Sequence, residues 1–530
     1  MKKLNKIFSV VVMLAMFLGT LGSASMEEVY ASDESKKAVI SIDAGRKYFS
    51  EEQLKQIIDK AYQNGYTDVQ ICLGNDALRF YLDDMSITVG DKTFASEDVK
   101  KAITTGNNSY YPDPNGGALT QDEMNRITTY AKERGLHIIP VINSPGHMDS
   151  ILIAMEELGM KDVRYTYNPG NLSWASERTI NIENEESLAF MKVLVKKYVD
   201  YFAGTGAVEI FNFGADEFAN DLFNGPGWEY LWNLGLYDTF IQYINDLAAI
   251  IKDSGITPMC FNDGIYYGGD GYYYDGTKYT DKYSGVIDTD IIVSYWTSGW
   301  TGFTVAPAKY LSDKGFKIMN TNDAWYWVLG FTSPYDGQYI YDNAIRGINN
   351  TDFNSVTGTK EEIPTIGSTH AIWCDRPGKL HDMESIFNLM DAYSTKYSDY
   401  LIRPADYTKV DEAISKVPED LSVYTDETVA KLQEALNSVV RNKKAIEQDE
   451  VDSYAAAINN AIDSLVKKST SKPSISDNEP SKTPEQTTTD KKKDSFKSPI
   501  KTGDNTNIVA LLSLITMSGF VGMLILRKSS

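Results

Sequence analysis

Short apolar runs recur between residues 36 and 404, and most of the segments between them carry apolar residues at helical spacing. Ala38-Val39-Ile40-Ser41-Ile42 is the first run, followed by an amphipathic stretch from Glu51 to Asn64. Asp68 to Leu73 comes second, with a helical pattern from about Gln121 to Arg134 after it. His137 to Ile142 leads through an insertion to a helix at Leu188 to Phe202, and Val208 to Phe213 precedes a long helix ending near Lys252. Pro258 to Phe261, Ile291 to Tyr295, Lys317 to Met319 and Thr365 to Gly367 complete the series. Runs that are apolar throughout predict strands buried on both faces, as in a parallel sheet. Eight of them with alternating helices predict an α/β chain folded as a (β/α)8 TIM barrel over residues 36–404. A doubly wound open sheet is the alternative, but no Gly-x-Gly-x-x-Gly follows the first run, so its dinucleotide-binding version has no support.

The pattern changes after the barrel. Residues 405–468 predict a small all-α module of three helices: Val429, Leu432, Leu436 and Val439 share one helical face, and so do Val451, Tyr454, Ala455, Ile458, Ile462 and Leu465. Residues 469–498 are rich in Ser, Thr, Pro, Lys and Asp and predict a disordered spacer, because they hold too little apolar surface to fold. Residues 1–31 read as a signal peptide, with Lys2, Lys3 and Lys6 ahead of an apolar stretch and Val29-Tyr30-Ala31 as the cleavage pattern. At the other end, Ile508 to Leu526 is an apolar run long enough to cross a bilayer, followed by Arg527 and Lys528.

Composition narrows the chemistry. Lys plus Arg number 51 and Asp plus Glu 73, a net charge of −22, which repels phosphate backbones and argues against a nucleic-acid partner. Three cysteines, Cys72, Cys260 and Cys374, make no disulfide framework and no thiolate zinc site, and read as buried small hydrophobes. Four histidines, with no His-x-x-x-His pair, give no His-rich metal centre, so neither a metal nor a cofactor is expected. The 34 tyrosines and eight tryptophans suit a neutral ring-shaped ligand such as a sugar.

In a barrel of this kind, functional groups sit where strands end and loops begin. Just past the predicted strands stand Asp43 and Arg46; Asn75 and Asp76; Asn143 and His147; Asp216 and Glu217; Asn262 and Asp263; Trp296; Asn322, Asp323 and Tyr326; and Trp373 and Asp375. Asn212-Phe213-Gly214-Ala215-Asp216-Glu217 resembles the Gly-x-Asp-Glu signature of glycoside hydrolase family 20, the β-N-acetylhexosaminidases. Asp43-Ala44-Gly45-Arg46 resembles that family's Asp-x-x-Arg, and Ser144-Pro145-Gly146-His147 its Pro-Gly-His element. Ala324-Trp325-Tyr326 lies where the family places a tyrosine. Trp373-Cys374-Asp375 resembles its Trp-x-Glu, with Asp in place of Glu. Among family members the chain is most similar to the wall-anchored streptococcal type. Pro499 to Asp504 likewise resembles a sortase signal, with cleavage between Thr502 and Gly503. That resemblance implies sortase and cell-wall peptidoglycan as partners and an extracellular, wall-anchored location, or a membrane anchor if the apolar run stays.

The resemblance implies an exo-acting enzyme that removes terminal GlcNAc from extracellular glycans with retention. A 2-acetamido sugar carries its own nucleophile, the acetamide oxygen, so only one carboxyl must act as acid and base. That role falls to Glu217, with Asp216 holding the acetamide N–H and Tyr326 its oxygen. Arg46, His147 and Asp375 would bind sugar hydroxyls, and Trp296, Trp325 and Trp373 would form the apolar wall. Repulsion from Asp216 is expected to raise the proton affinity of Glu217. Two alternatives stand: disaccharide release of the lacto-N-biosidase type by the same family, and a glycan-binding adhesin without catalysis. The Gly- and Tyr-rich stretch 264–283 is either a surface loop or a wall for the leaving sugar.

Overall fold

The computed structural model describes residues 36–468 apart from 115, 165–177, 219–234, 266–285, 300–304, 361 and 380. The signal-like start, the spacer, the sorting signal with Thr502 and Gly503, and nearly all of the Tyr-rich stretch lie outside the described residues. Among the described residues no helix is long and apolar enough to cross a membrane.

Eight parallel strands close on themselves: β1 (Lys37–Ile42), β2 (Asp68–Asn75), β3 (His137–Ile142), β4 (Ile210–Asn212), β5 (Thr257–Phe261), β6 (Ile292–Tyr295), β7 (Ile318–Asn320) and β8 (Gly367–Trp373). Each pairs with its neighbours in chain order, and β1 pairs with both β2 and β8, with Val39 opposite Asp68 on one side and Thr369 on the other. Around the strands run α1 (Glu51–Gln63), α2 (Ser96–Tyr110), α3 (Gln121–Glu133), α4 (Asp149–Glu157), α5 (Glu185–Thr205), α6 (Leu236–Asp253), α7 (Ala308–Asp313), α8 (Tyr341–Asn350) and α9 (Met383–Lys396). The TIM barrel is therefore as the apolar runs predict.

Local signals set the helices. α1 and α3 each begin with a capping box, Ser50 with Gln53 and Thr120 with Glu123, which satisfies backbone N–H groups at the first turn. Leu54, Ile57, Ile58 and Ala61 then form the buried stripe of α1. Inside the barrel, Val39, Ile139, Ile210, Met259, Ile292 and Met319 make one apolar layer. Toward the C-terminal ends of the strands the interior turns polar. Gln70 donates to Ser41 Oγ at 2.8 Å, Asn212 donates to Gln70 at 3.3 Å, and Ser294 and Thr321 share a bond of 2.6 Å.

Three details differ from expectation. The last strand runs from Gly367 to Trp373, not Thr365 to Gly367. Its Ser368, Thr369 and His370 are polar but buried, with His370 Nε2 and the Tyr66 hydroxyl 2.7 Å apart, so polarity there does not mark a loop. α2 and α4 were not foreseen: the first is interrupted by Gly106 and by a run of Thr and Asn, and the second sits in what reads as an insertion. The two pack tightly, since a Cβ on Gly106 would lie 2.2 Å from the Ser150 carbonyl.

Beyond the barrel come α10 (Thr408–Ser415), α11 (Asp426–Asn437) and α12 (Gln448–Asp463). They share an apolar core of Val410, Ala413, Leu432, Val451, Tyr454 and Ile458. Arg403, at the end of the barrel, joins the two: its side chain donates to the carbonyls of Arg134 and Tyr62, both at 2.8 Å, and its own carbonyl accepts the Ala445 N–H of the module at 2.7 Å.

Candidate active site

β4 ends in a backbone that few residues adopt. Gly214, Ala215 and Glu217 all have positive φ, at 78°, 65° and 51°. Gly214 has a second reason to be glycine, because a Cβ there would lie 1.9 Å from Asn143 Oδ1. Asn143 then holds the turn from β3, accepting from the Ala215 N–H at 3.1 Å and donating to Asp216 Oδ1 at 2.6 Å. The Pro-Gly-His turn packs beneath it, where a Cβ on Gly146 would come within 2.5 Å of the Asp216 carbonyl.

The turn delivers Asp216 and Glu217 to a cavity of about 120 Å³ at the C-terminal mouth of the barrel. Arg46, His147, Trp296, Tyr326, Trp373 and Asp375 line the same cavity. Trp325 does not join them. It is fully buried, donates from its indole to Thr351 Oγ1 at 2.6 Å and packs edge-on against Tyr393, on the helical side of the barrel. The expected three-tryptophan wall is thus a wall of Trp296 and Trp373, joined by residues the sequence did not single out: Phe261, Val328 and Tyr339. Tyr326 stands between the two indoles, stacked on Trp296 at 6.5 Å and edge-on to Trp373 at 5.5 Å. Its hydroxyl is buried and has no hydrogen-bond partner among the described residues, which leaves it free to bond a ligand atom.

Arg46 is fixed before any ligand arrives. Its Nε donates to Asp76 Oδ2 at 2.6 Å, and Nη1 donates to Asp43 Oδ2 at 3.1 Å and to Asp375 Oδ1 at 3.2 Å. Asp43 also accepts the Cys374 N–H at 3.1 Å, tying β1 to the end of β8. Asp76 is the hub of the site: it accepts from Arg46, from Arg178 at 3.0 Å and from the Tyr111 hydroxyl at 3.0 Å, and its Oδ1 lies 2.9 Å from His147 Nδ1. Asp76 stood among the strand-end polar residues, whereas Arg178 and Tyr339 lie far from any strand end and gave no signal.

His147 turns its Nε2 to the carboxylates, 3.1 Å from Glu217 Oε2 and 3.4 Å from Asp216 Oδ2. Burial lowers the proton affinity of the imidazole and so does Arg178, but Asp76 and Asp216 outweigh both and hold it well above the usual range. The consequence for Glu217 corrects the expectation. Burial raises its carboxyl, but the hydrogen bond and charge of His147 bring it below the ordinary value, so the proton of the pair rests on the imidazole. Beside the pair, the Asp263 carboxyl is held well above its usual range, raised by burial and by Asp216. Asp263 Oδ2 accepts the Glu217 N–H at 2.6 Å and Oδ1 accepts the Trp296 indole N–H at 3.2 Å.

Residues 39–377 match the model of the glycosyl hydrolase family 20 catalytic domain. This chain belongs to that family. It is a glycoside hydrolase, and its cavity occupies the end of the barrel where such enzymes act. Two solved structures of the pneumococcal virulence factor StrH, described with the second of them as an exo-β-D-N-acetylglucosaminidase with tandem catalytic modules, are similar to it. One has 43% identity and a TM-score of 0.69, covering 81% of this chain and 100% of that one; the other has 44% identity, the same TM-score, and covers 81% and 98%. A lacto-N-biosidase of Bifidobacterium bifidum is 26% identical over 404 residues, or 67% of this chain and 32% of that protein. β-Hexosaminidase subunit A1 of Dictyostelium discoideum is 23% identical over 283 residues, 51% of this chain and 46% of its own length. The chain therefore spans less than half of each of these two relatives.

Proposed function

We propose that the protein is an exo-acting β-N-acetylhexosaminidase that releases terminal β-linked GlcNAc from glycans with retention, using the substrate's acetamide as nucleophile. The observation that carries this reading is the cavity itself: Asp216, Glu217 and the unpartnered Tyr326 hydroxyl face one space walled by two indoles. The likeness to StrH modules, named for exo-β-D-N-acetylglucosaminidase action, supports it at over 40% identity.

Glu217 gives a proton to the glycosidic oxygen while the acetamide oxygen attacks the anomeric carbon, and the aglycone leaves as an alcohol. Asp216 accepts the acetamide N–H and balances the charge of the oxazolinium ring. Tyr326 donates to the acetamide oxygen and aims it. Glu217, now a carboxylate, takes a proton from water as that water attacks the anomeric carbon from the face the aglycone left and opens the ring. His147 holds the proton that Glu217 must deliver, and substrate entry, by removing water from the pair, favours its neutral carboxyl form. Arg46 and Asp375 bind the outer hydroxyls of the sugar. The signal-like start and sorting-like end extend the proposal to display outside the cell, joined to peptidoglycan by sortase at Thr502.

Aryl β-glycosides test the reading. GlcNAc should be released from the monosaccharide substrate, and Glu217→Gln should lower turnover by about 10³-fold on poor leaving groups while the fold melts normally. Faster release of a disaccharide than of GlcNAc would favour the reading suggested by the lacto-N-biosidase relative. Tight glycan binding without any free sugar would point to an adhesin.

A further inference from the structure

Asp149 opens α4, directly behind the Pro-Gly-His turn, and its side chain is excluded from solvent. Neither of its oxygens accepts a hydrogen bond from any described N–H or O–H donor, and even the neighbouring Ser150 hydroxyl does not donate to it. The nearest cation, Arg178, places Nε 3.6 Å from Oδ2, beyond hydrogen-bond distance. The same guanidinium donates from Nη2 to Asp76 Oδ1 at 3.0 Å, which sets the Asp149 and Asp76 carboxyls side by side. The backbone holds the two segments together, since the Ser150 N–H donates to the Asp76 carbonyl at 2.8 Å and the Asp76 N–H donates to the His147 carbonyl at 2.7 Å.

A buried carboxylate without donors is costly, and two facing carboxylates are costlier, unless one of them keeps a proton and donates it to the other. Asp76 is the better anion: Arg46, Arg178, His147 and Tyr111 all face it. Asp149 is faced by Asp76, Arg178 and His147, with Tyr111 next to them. We infer that Asp149 is a positioning residue that stays protonated and donates to Asp76, extending the line Glu217–His147–Asp76 by one member into the interior. Burial and then Asp76 raise its carboxyl to about 9, in the direction this requires. The neutral donor fixes the Asp76 carboxylate toward His147 without competing for the imidazole proton. This rests on the reading of Glu217 as the acid.

The test compares Asp149→Asn, which keeps a neutral donor, with Asp149→Ala, which removes it. The asparagine variant should retain kcat to within about threefold. The alanine variant should lose about 10- to 100-fold in kcat with little change in KM, and the alkaline limb of its kcat/KM profile should move down by about one pH unit. Equal damage from both variants would overturn the inference, because it would mean that the ionised carboxylate is what matters. So would an unimpaired alanine variant. Two readouts stand apart from activity and decide the matter if the alanine variant does not fold or the glycosidase reading fails. Wild type minus Asp149→Asn should show a protonated-carboxyl band in the infrared at pH 7, and its absence refutes the inference. A group protonated only in the folded state loses stability as pH rises from the unfolded value toward the folded one. Asp149→Asn should therefore melt higher than wild type at pH 8 and with it at pH 4, and a lower melting temperature at both would also refute it.

Discussion

The Glu217 N–H donates to Asp263 Oδ2 at 2.6 Å, so the second residue past β5 holds the backbone of the residue proposed as acid. Glu217 sits at φ 51°, a left-handed conformation that costs a non-glycine residue on the order of 1 kcal/mol or more. Asp263 offsets that cost with one oxygen and fixes the Trp296 indole with the other. In Asp263→Asn the amide has one oxygen for two N–H donors, and its NH2 must face the other. We expect kcat to fall by about 10- to 100-fold, with a smaller rise in KM. Steady-state kinetics beside a thermal melt checks this, and unchanged kinetics would mean that Asn143 and the turn hold Glu217 unaided.

The His147–Glu217 pair predicts activity that persists into the alkaline range. Glu217 needs a proton to deliver, and with its own carboxyl held below the ordinary range that proton comes from the imidazole. Activity therefore falls at high pH, when His147, held well above the imidazole range, gives up the only proton of the pair. His147→Gln leaves Glu217 as sole holder, so the alkaline limb should move toward acid by more than about one pH unit. Stability follows the same sign. The raised imidazole adds stability that is fully present below about pH 6.5 and is lost as pH rises through its folded value. Profiles of kcat/KM and melting temperature for wild type and variant measure both.

The sequence disclosed the barrel because strands buried on two faces have no polar side to hide, and most of the runs are apolar through most of their length; the last was misplaced because its strand buries Ser368, Thr369 and His370. The site was legible for the same geometric reason: residues just past β1, β3, β4, β7 and β8 must converge at one mouth, and Arg46, His147, Glu217, Tyr326 and Asp375 do so. Trp325 escaped that logic. It begins no loop of its own, lying in a single 3-10 turn from Asp323 to Trp325, and one step along such a turn separates the cavity from the core. Tyr339 and Arg178 could not be found by strand-end reasoning, since long connections bring them back. The proton balance of Glu217 was illegible too, because it is set by His147 at 3.1 Å, a residue 70 positions away in the chain.

The two tryptophans make a controlled comparison. Trp325→Ala removes a fully buried side chain that touches Tyr393 and Thr351, and should cost about 3–5 kcal/mol of stability with KM unchanged in the folded fraction. Trp373→Ala removes a cavity wall that faces Tyr326 and lies 6.0 Å from the Arg46 guanidinium. It should raise KM with a smaller loss of stability. Denaturant unfolding and Michaelis kinetics on both variants separate packing from binding, and a KM effect at Trp325 would contradict its placement.

The partners of Arg46 differ in what they can do. Asp43 and Asp76 have fully buried side chains and serve to hold the guanidinium, whereas the Asp375 side chain is 50% exposed at the cavity edge. An exposed ion pair contributes little to stability, so Asp375→Ala should leave the melting temperature almost unmoved. Asp375 has an oxygen left for ligand beside the one that accepts from Arg46. Losing a hydrogen bond to a charged group weakens binding by roughly 1.5–3 kcal/mol, so KM for the aryl GlcNAc substrate should rise by at least about tenfold with kcat altered less. Asp43→Ala should behave differently, lowering stability and kcat/KM together, because it leaves part of a buried guanidinium unpaired. If Asp375→Ala instead leaves KM for GlcNAc unchanged while release of a disaccharide improves, the carboxylate acts as a barrier to longer chains and not as a hydroxyl ligand.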